Sequence, residues 1–505
     1  MAWSRGWRYW RPCWAERGRA AVAVARQSGI VRHLPQPDRP TMSSNDPNAS
    51  LPDQAAAAPA HALKPRQLVM MGLGSAIGAG LFLGSGVGVQ TAGPAVLVSY
   101  LIAGALVIVV MHALGEMAAA KPASGAFSVY ASDAMGPVAG ATVGWLWWLQ
   151  VVIVIAAEAV GAAGLLASIW PTLSVPGLAL CFMVLFTAIN LLGVRQFGEF
   201  EFWFAILKVI AILVFIAIGI ALVAGWLPAV ASPGLSNVLG PDGFAPRGWA
   251  GIGAALLVVV FAFGGTELVA IAAAETRDPA KSLARAIRTV AWRILVFYLG
   301  SIAVIVIVVP WDSAALASPF AAVLQIARIP GAATTITLVA AIALLSALNA
   351  NLYGASRMIW SLGRRGDAPA ALGRSDRRNV PVAAVLASVA FGFVAAALEL
   401  MFPQRVLPVL LSIVGATCLL VWTIALVSQF ILRRRADVAG SALPFRMRAF
   451  PLPTIAALGV LGVIFAMLVA SPDTRAQFLS MAALTLAIAG LNALAQRLRG
   501  TTTVR

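Results

Sequence analysis

Apolar stretches of roughly 20 residues recur from Gln67 to Gln496, each long enough to cross a bilayer. No other feature constrains the fold as strongly. Inside hydrocarbon every backbone N–H and C=O must find a partner within the protein, and a helix supplies those partners by itself. The expected fold is therefore an all-α integral membrane protein. Twelve spans can be drawn. Spans 1 to 5 cover about 67–90, 93–118, 137–168, 175–194 and 200–226. Spans 6 to 10 cover about 249–275, 290–310, 332–362, 381–401 and 405–432, and spans 11 and 12 about 452–471 and 475–497. The 505 residues are 60% hydrophobic and 11% charged, where a soluble chain carries about a quarter charged residues.

The net charge of +17 does not point to nucleic acid, because the basic residues gather in short loops between apolar spans. Arg277, Lys281, Arg285 and Arg288 follow span 6. Arg364, Arg365, Arg374, Arg377 and Arg378 follow span 8. Arg433, Arg434, Arg435, Arg446 and Arg448 follow span 10. Connections after odd-numbered spans are poor in such residues: Ala167–Pro176 has none and Gly225–Gly248 only Arg247. The positive-inside rule then places both termini in the cytoplasm of a cell whose inner membrane holds the chain, as an even number of spans requires. Trp145, Trp147, Trp148, Trp170 and Trp226 read as an interfacial belt and as packing.

Cys13, Cys181 and Cys418 are too scattered for a disulfide framework or metal cluster, as are His33, His61 and His112. Neither a metal nor a cofactor is expected, and no obligate protein partner. The first 41 residues hold eight arginines with Trp3, Trp7, Trp10 and Trp14, and no apolar run fit for a signal peptide. Translation is expected to start at Met42, with a basic membrane-surface segment as the alternative. Residues 1–66 are read as a disordered cytoplasmic lead-in and 498–505 as a cytoplasmic tail.

Two spans carry interruptions. Span 1 contains Gly72, Gly74, Gly78, Gly80, Gly84 and Gly86, and its break is placed at Ser75–Gly80. Span 6 contains Phe261-Ala-Phe-Gly-Gly-Thr-Glu267, with its break at Gly264-Gly265. Unpaired backbone persists in a membrane only where protein buries it or where it lines a cavity. Paired breaks in corresponding spans point to a midplane site of a secondary transporter. The N–H groups that open the second half-helix attract a carboxylate. The carbonyls that close the first attract an ammonium or another cation. A zwitterionic amino acid presents both charges, and glycine lets it approach the backbone. Small-residue helix packing is the competing explanation for the glycines of span 1.

Several stretches carry a specific resemblance. They are Gly74-Ser-Ala-Ile-Gly-Ala-Gly-Leu-Phe82, Ala92-Gly-Pro94, Leu114-Gly-Glu-Met-Ala118 and Phe197-Gly-Glu-Phe-Glu-Phe-Trp-Phe-Ala-Ile-Leu-Lys-Val209. Downstream come Phe263-Gly-Gly-Thr-Glu267, Glu275-Thr-Arg-Asp-Pro-Ala-Lys281 and Asn351-Leu-Tyr-Gly-Ala-Ser-Arg-Met358. In this order the chain resembles bacterial amino acid permeases of the amino acid transporter family, within the amino acid–polyamine–organocation superfamily. The similarity runs from about Leu63 to Arg435 and more weakly to the C-terminus. It implies a LeuT-type fold of twelve helices, with inverted five-helix repeats over 67–226 and 249–432 and helices 11 and 12 over 452–497. It also implies proton-coupled uptake of amino acids by alternating access. The family motif of span 1 usually has Thr where this chain has Ala79, which removes one hydroxyl near the carboxylate end of the site.

The expected substrate-binding residues are Ser75, Ala76, Ile77, Gly78, Ala79 and Gly80 in span 1, with Phe261, Phe263, Gly264, Gly265 and Glu267 in span 6. Ionisable groups inside spans are candidates by their cost alone. Lys208 can gain and lose a proton during the cycle, or snorkel to the surface. By resemblance it is the lysine that stands where sodium-coupled relatives hold a sodium ion. Glu158 is a proton carrier or a gating hydrogen bonder. Glu267 is a contact for the substrate ammonium or a clamp on the broken backbone. Glu116 reads as a solvated helix-end charge or a loop tether. A channel would show repeated pore segments or charged rings, an enzyme a catalytic or metal-binding constellation, and a nutrient sensor a long cytoplasmic domain. A carrier of neutral amino acids, coupled to protons, fits best. An exchanger or a γ-aminobutyrate or proline permease of the same fold is the alternative.

Overall fold

The computed structural model describes residues 65–502, except 124, 193, 229, 274–278 and 403–405. The expected start at Met42, the tryptophan-rich opening, and Cys13, His33 and His61 lie outside the described residues. Among the described residues the regular elements are all helical. The first group is α1 (Pro65–Ala76), α2 (Ala79–Phe82), α3 (Gly84–Ala92), α4 (Val96–Ala120) and α5 (Ala126–Met135). Next come α6 (Pro137–Ile169), α7 (Val175–Leu192), α8 (Val194–Val223), α9 (Ser236–Leu239), α10 (Gly248–Phe263) and α11 (Leu268–Ala273). The rest are α12 (Pro279–Val308), α13 (Pro319–Ile326), α14 (Ala332–Arg364), α15 (Val382–Met401), α16 (Val406–Val438), α17 (Leu452–Ala470) and α18 (Pro472–Thr502). Among the described residues ten helical stretches are long and apolar enough to cross a membrane. Two shorter apolar helices, Leu68–Phe82 and Leu295–Val308, fall in spans 1 and 7.

The outside of the bundle carries many large apolar side chains. Val184, Leu185, Trp203, Ile210, Leu486 and Leu491 are exposed along α7, α8 and α18, as suits helices that turn one face to lipid rather than water. Trp226 and Trp249 stand 73% exposed at helix ends, where an interfacial belt places them. Trp147 is instead fully buried. The Trp145 and Trp148 indoles donate to the Asp367 carbonyl and Ser388 Oγ at 3.0 Å each. These last three are packing residues.

The inside is organised on α6 and α14, which pack against each other more extensively than any other pair. Both have 33 residues, so each is about 50 Å long at 1.5 Å per residue and overreaches a core of about 30 Å. Small residues let neighbours come close. A Cβ on Gly140 would sit 2.6 Å from the Ser128 carbonyl oxygen, and one on Gly144 would sit 2.8 Å from Ser128 Oγ. This Gly-x-x-x-Gly face of α6 receives α5, and Ser128 Oγ donates to the Gly140 carbonyl at 2.6 Å.

Two details depart from the sequence reading. Span 7 does not start near 290: Lys281, Arg285 and Arg288 before it belong to the same helix, α12. No glycine or proline lies between Pro279 and Gly300, so a change of polarity alone does not end the helix. The helices α5 and α13 fill connections that were left without an element, being too short to register as spans.

Candidate functional site at the two helix breaks

The helix of span 1 stops at Ala76 and resumes at Ala79. That of span 6 stops at Phe263 and resumes at Leu268. Both gaps lie at glycines for local reasons. Gly265 has φ +93°, a conformation that a side chain rarely accepts. A Cβ there would also lie 2.7 Å from the Ser75 carbonyl oxygen. One on Gly78 would lie 2.7 Å from Glu158 Oε1 and 2.9 Å from Ala347 Cβ. One on Gly80 would strike Ala262 Cα and lie 3.0 Å from its backbone nitrogen. The two breaks therefore meet main chain to main chain. Ser75 Oγ ties them by donating to the Gly265 carbonyl at 2.8 Å.

A cavity opens where they meet. Ser75, Ala76, Gly78, Ala79 and Gly80 line it from the first break, and Phe261, Gly264 and Gly265 from the second. Gln150, Val151, Val154 and Glu158 of α6 face them, with Asn351 of α14 and Val414 of α16. Glu158 is the one ionisable side chain in this lining. Its Oε2 accepts from Asn351 Nδ2 at 3.1 Å. No side chain caps the N-terminus of α2, so the first N–H groups of the resumed helix lack the partner that a cap supplies. The arrangement sets main-chain donors, main-chain acceptors and one carboxyl around a space with otherwise neutral walls.

Ile77, Phe263, Glu267 and Lys208 do not line the cavity. Ile77 is fully buried. Phe263 stacks on Tyr298 with ring centroids 4.9 Å apart. The Glu267 carboxyl turns back on its own break, where Thr266 Oγ1 donates to Oε2 at 3.3 Å. Lys208 lies directly behind the first break: its Nζ donates to the Gly74 carbonyl at 2.5 Å. Glu201 Oε1 is 4.0 Å from that ammonium, and Ser346 Oγ donates to Glu201 Oε2 at 2.8 Å. Both charged residues are fully buried, so Lys208 does not snorkel.

In sequence Gln150 and Asn351 are neutral polar groups within apolar spans, which interhelical hydrogen bonding explains. That account suits Asn190, whose Nδ2 donates to Asn349 Oδ1 at 2.8 Å. Sequence reasoning left out Val151, Val154 and Val414 because nothing marks one valine among many as a wall. It also left out Tyr298, whose hydroxyl sits 2.7 Å from the Ala76 carbonyl and 2.6 Å from that of Ala262. Glu116 is 3% exposed and is a tether rather than a solvated charge. It accepts from Arg433 Nη1 at 2.7 Å, the Met447 backbone N–H at 2.6 Å and Gln429 Nε2 at 3.2 Å.

A multi-pass helical protein with two interrupted helices around one buried cavity has the build of a membrane carrier. The amino acid permease family matches residues 67–496. The chain is 45% identical over 425 residues to the aromatic amino acid transport protein AroP of Corynebacterium glutamicum, covering 83% of this chain and 92% of that one. It is 42% identical to a probable GABA permease of Pseudomonas aeruginosa, over 87% of this chain and 93% of the relative. Identity to a gamma-aminobutyric acid permease of Bacillus subtilis is 41%, over 80% and 87%. The chain belongs to the amino acid permease family, in the amino acid transporter branch of the amino acid–polyamine–organocation superfamily, and is a transporter rather than an enzyme.

Proposed function

We propose that this permease imports a neutral amino acid across the bacterial cytoplasmic membrane, by proton-coupled alternating access. In this reading twelve spans form a LeuT-type pair of inverted repeats over 67–226 and 249–432, with both termini cytoplasmic. The observation that carries the substrate class is the composition of the cavity wall. Main-chain groups of both breaks face it, and Glu158 is its one ionisable side chain. The substrate carboxylate takes the N–H groups at Ala79 and Gly80. The ammonium takes free carbonyls and the Glu158 carboxyl. With no cation in the lining, an acidic side chain has no partner. Phe261, Val151, Val154 and Val414 surround the side chain with apolar surface. The names of the relatives favour aromatic amino acids and γ-aminobutyrate as the first candidates.

Lys208 carries the coupling in this reading. It holds the Gly74 carbonyl just before the break, so its charge bears on the geometry of the first half-helix. The test is uptake by purified protein in liposomes of labelled phenylalanine, tyrosine, tryptophan, proline and γ-aminobutyrate, set beside labelled glutamate and lysine, with and without an inward proton gradient. Accumulation of one of them driven by the gradient is expected. Exchange indifferent to the gradient would retain the site and remove the coupling. A preference for glutamate or lysine would overturn the neutral-substrate reading.

A further inference from the structure

Tyr298 on α12 lies outside the cavity lining, yet it touches both interrupted helices. Its hydroxyl is 2.7 Å from the Ala76 carbonyl oxygen, the last residue of α1, and 2.6 Å from that of Ala262, the penultimate residue of α10. Both carbonyls belong to helix ends, where the onward helical partner is lost; the backbone donor left to that of Ala76 is the Gly78 N–H across the gap, at 3.1 Å. A phenol has one proton and donates to one acceptor at a time. Two carbonyls at hydrogen-bonding distance therefore share it. The side chain is fully buried, so water does not supply a substitute. The ring is held on two sides. Phe263 stacks on it at 4.9 Å with 21° between planes, and Tyr100 lies at 6.0 Å. Phe263 itself closes α10, so the ring and the hydroxyl grip the same break.

We propose that Tyr298 is a positioning residue for substrate: its shared hydroxyl proton fixes the two broken ends against each other, so that both half-sites face one cavity. The inference rests on the reading of the breaks as the substrate site. Without the hydroxyl, the Ala262 carbonyl loses its donor and that of Ala76 keeps only the Gly78 N–H of its own break, so nothing from Tyr298 holds the two ends together. Ser75, which donates to Gly265 O at 2.8 Å, would then be the remaining side-chain bridge that we have described between the breaks.

The experiment uses Tyr298→Phe, which keeps the ring, in the full-length protein in lipid nanodiscs. Tyr100→Phe is the control, because the Tyr100 hydroxyl is buried in the same aromatic cluster with no hydrogen-bond partner among the described residues. Amide hydrogen exchange needs no ligand. Tyr298→Phe should speed exchange about tenfold in both 76–82 and 264–268 and leave the other helices unchanged, since exchange reports local opening. Affinity for phenylalanine and γ-aminobutyrate, measured by equilibrium binding, should weaken about tenfold for whichever of them the native protein binds. Tyr100→Phe should change neither. Faster exchange across the whole bundle, or in one break alone, would reduce Tyr298 to a packing residue and overturn the proposal. So would native affinity with native exchange. If the native protein binds neither compound, the exchange data alone decide whether Tyr298 joins the breaks.

Discussion

A lysine placed in hydrocarbon must hold a partner, and Lys208 holds a carbonyl oxygen at 2.5 Å and a carboxylate at 4.0 Å. The hydrogen bond runs to Gly74, two residues before the first helix ends. Removing the ammonium leaves Glu201 buried without its counter-charge and Gly74 without its donor. In the coupled reading, Lys208→Ala flattens the response of uptake to an inward proton gradient while changing substrate affinity far less. Uptake at a series of external pH values, set beside equilibrium binding, checks this. An unchanged pH response would make Lys208 a structural residue. Lys208 was legible in the sequence because a charge in an apolar run is conspicuous. Tyr298 was not, since Phe297-Tyr298 in such a run looks like any packed aromatic pair. Only the meeting of three helices gives its hydroxyl two acceptors.

The interrupted helices were the most legible elements. Glycine clusters inside apolar runs allow few other readings, and the gaps at Ile77–Gly78 and Gly264–Glu267 fall where those clusters stand. What the pattern could not convey is how closely the gaps approach each other, because that depends on how α10 packs on α2 and α3 and how α11 packs on α1. It also could not separate Ile77 and Phe263, which face away from the cavity, from their neighbours that face it. Replacing Gly78 with leucine drives a branched side chain into Glu158 and Ala347, and Gly265→Leu drives one into the Ser75 carbonyl while forcing a positive φ. Each variant should insert normally and lose uptake by at least about tenfold, the effect of a strained, overfilled site. Membrane fractionation and liposome uptake check both halves of this expectation. The α12 boundary was illegible for a different reason. A change of polarity was taken for a change of element, whereas helix continuity depends on backbone compatibility, which Pro279–Val308 keeps.

At the scale of the molecule, Glu116 joins parts remote in sequence. It links α4 to Arg433 and Gln429 of α16 and to Met447 in the connection before α17. Thr454 of α17 extends the chain by donating to Gln429 Oε1 at 2.9 Å. The sequence offered Glu116 and Arg433 as separate charges near helix ends, more than 300 residues apart, with nothing to pair them. Glu116→Ala leaves a buried guanidinium with only the half-exposed Asp437. The loss should lie at the lower end of about 3–5 kcal/mol, because Asp437 still offsets part of the charge. A thermal-shift measurement in detergent reads it as a lowered melting temperature, and an unchanged one would show that the tether contributes little.

The contact between Gly80 and Ala262 divides the site into parts that can and cannot evolve. What a side chain at position 80 would strike first is main chain, the Cα of residue 262. No exchange at 262 can make room for it, so this pair has no compensating partner and position 80 is frozen. Gln150, Val151, Val154 and Val414 meet the cavity from helices of their own, where one side chain can be traded for another without moving a backbone. Drift in substrate range among descendants of this permease should accumulate on α6 and α16, while the broken helices stay as they are.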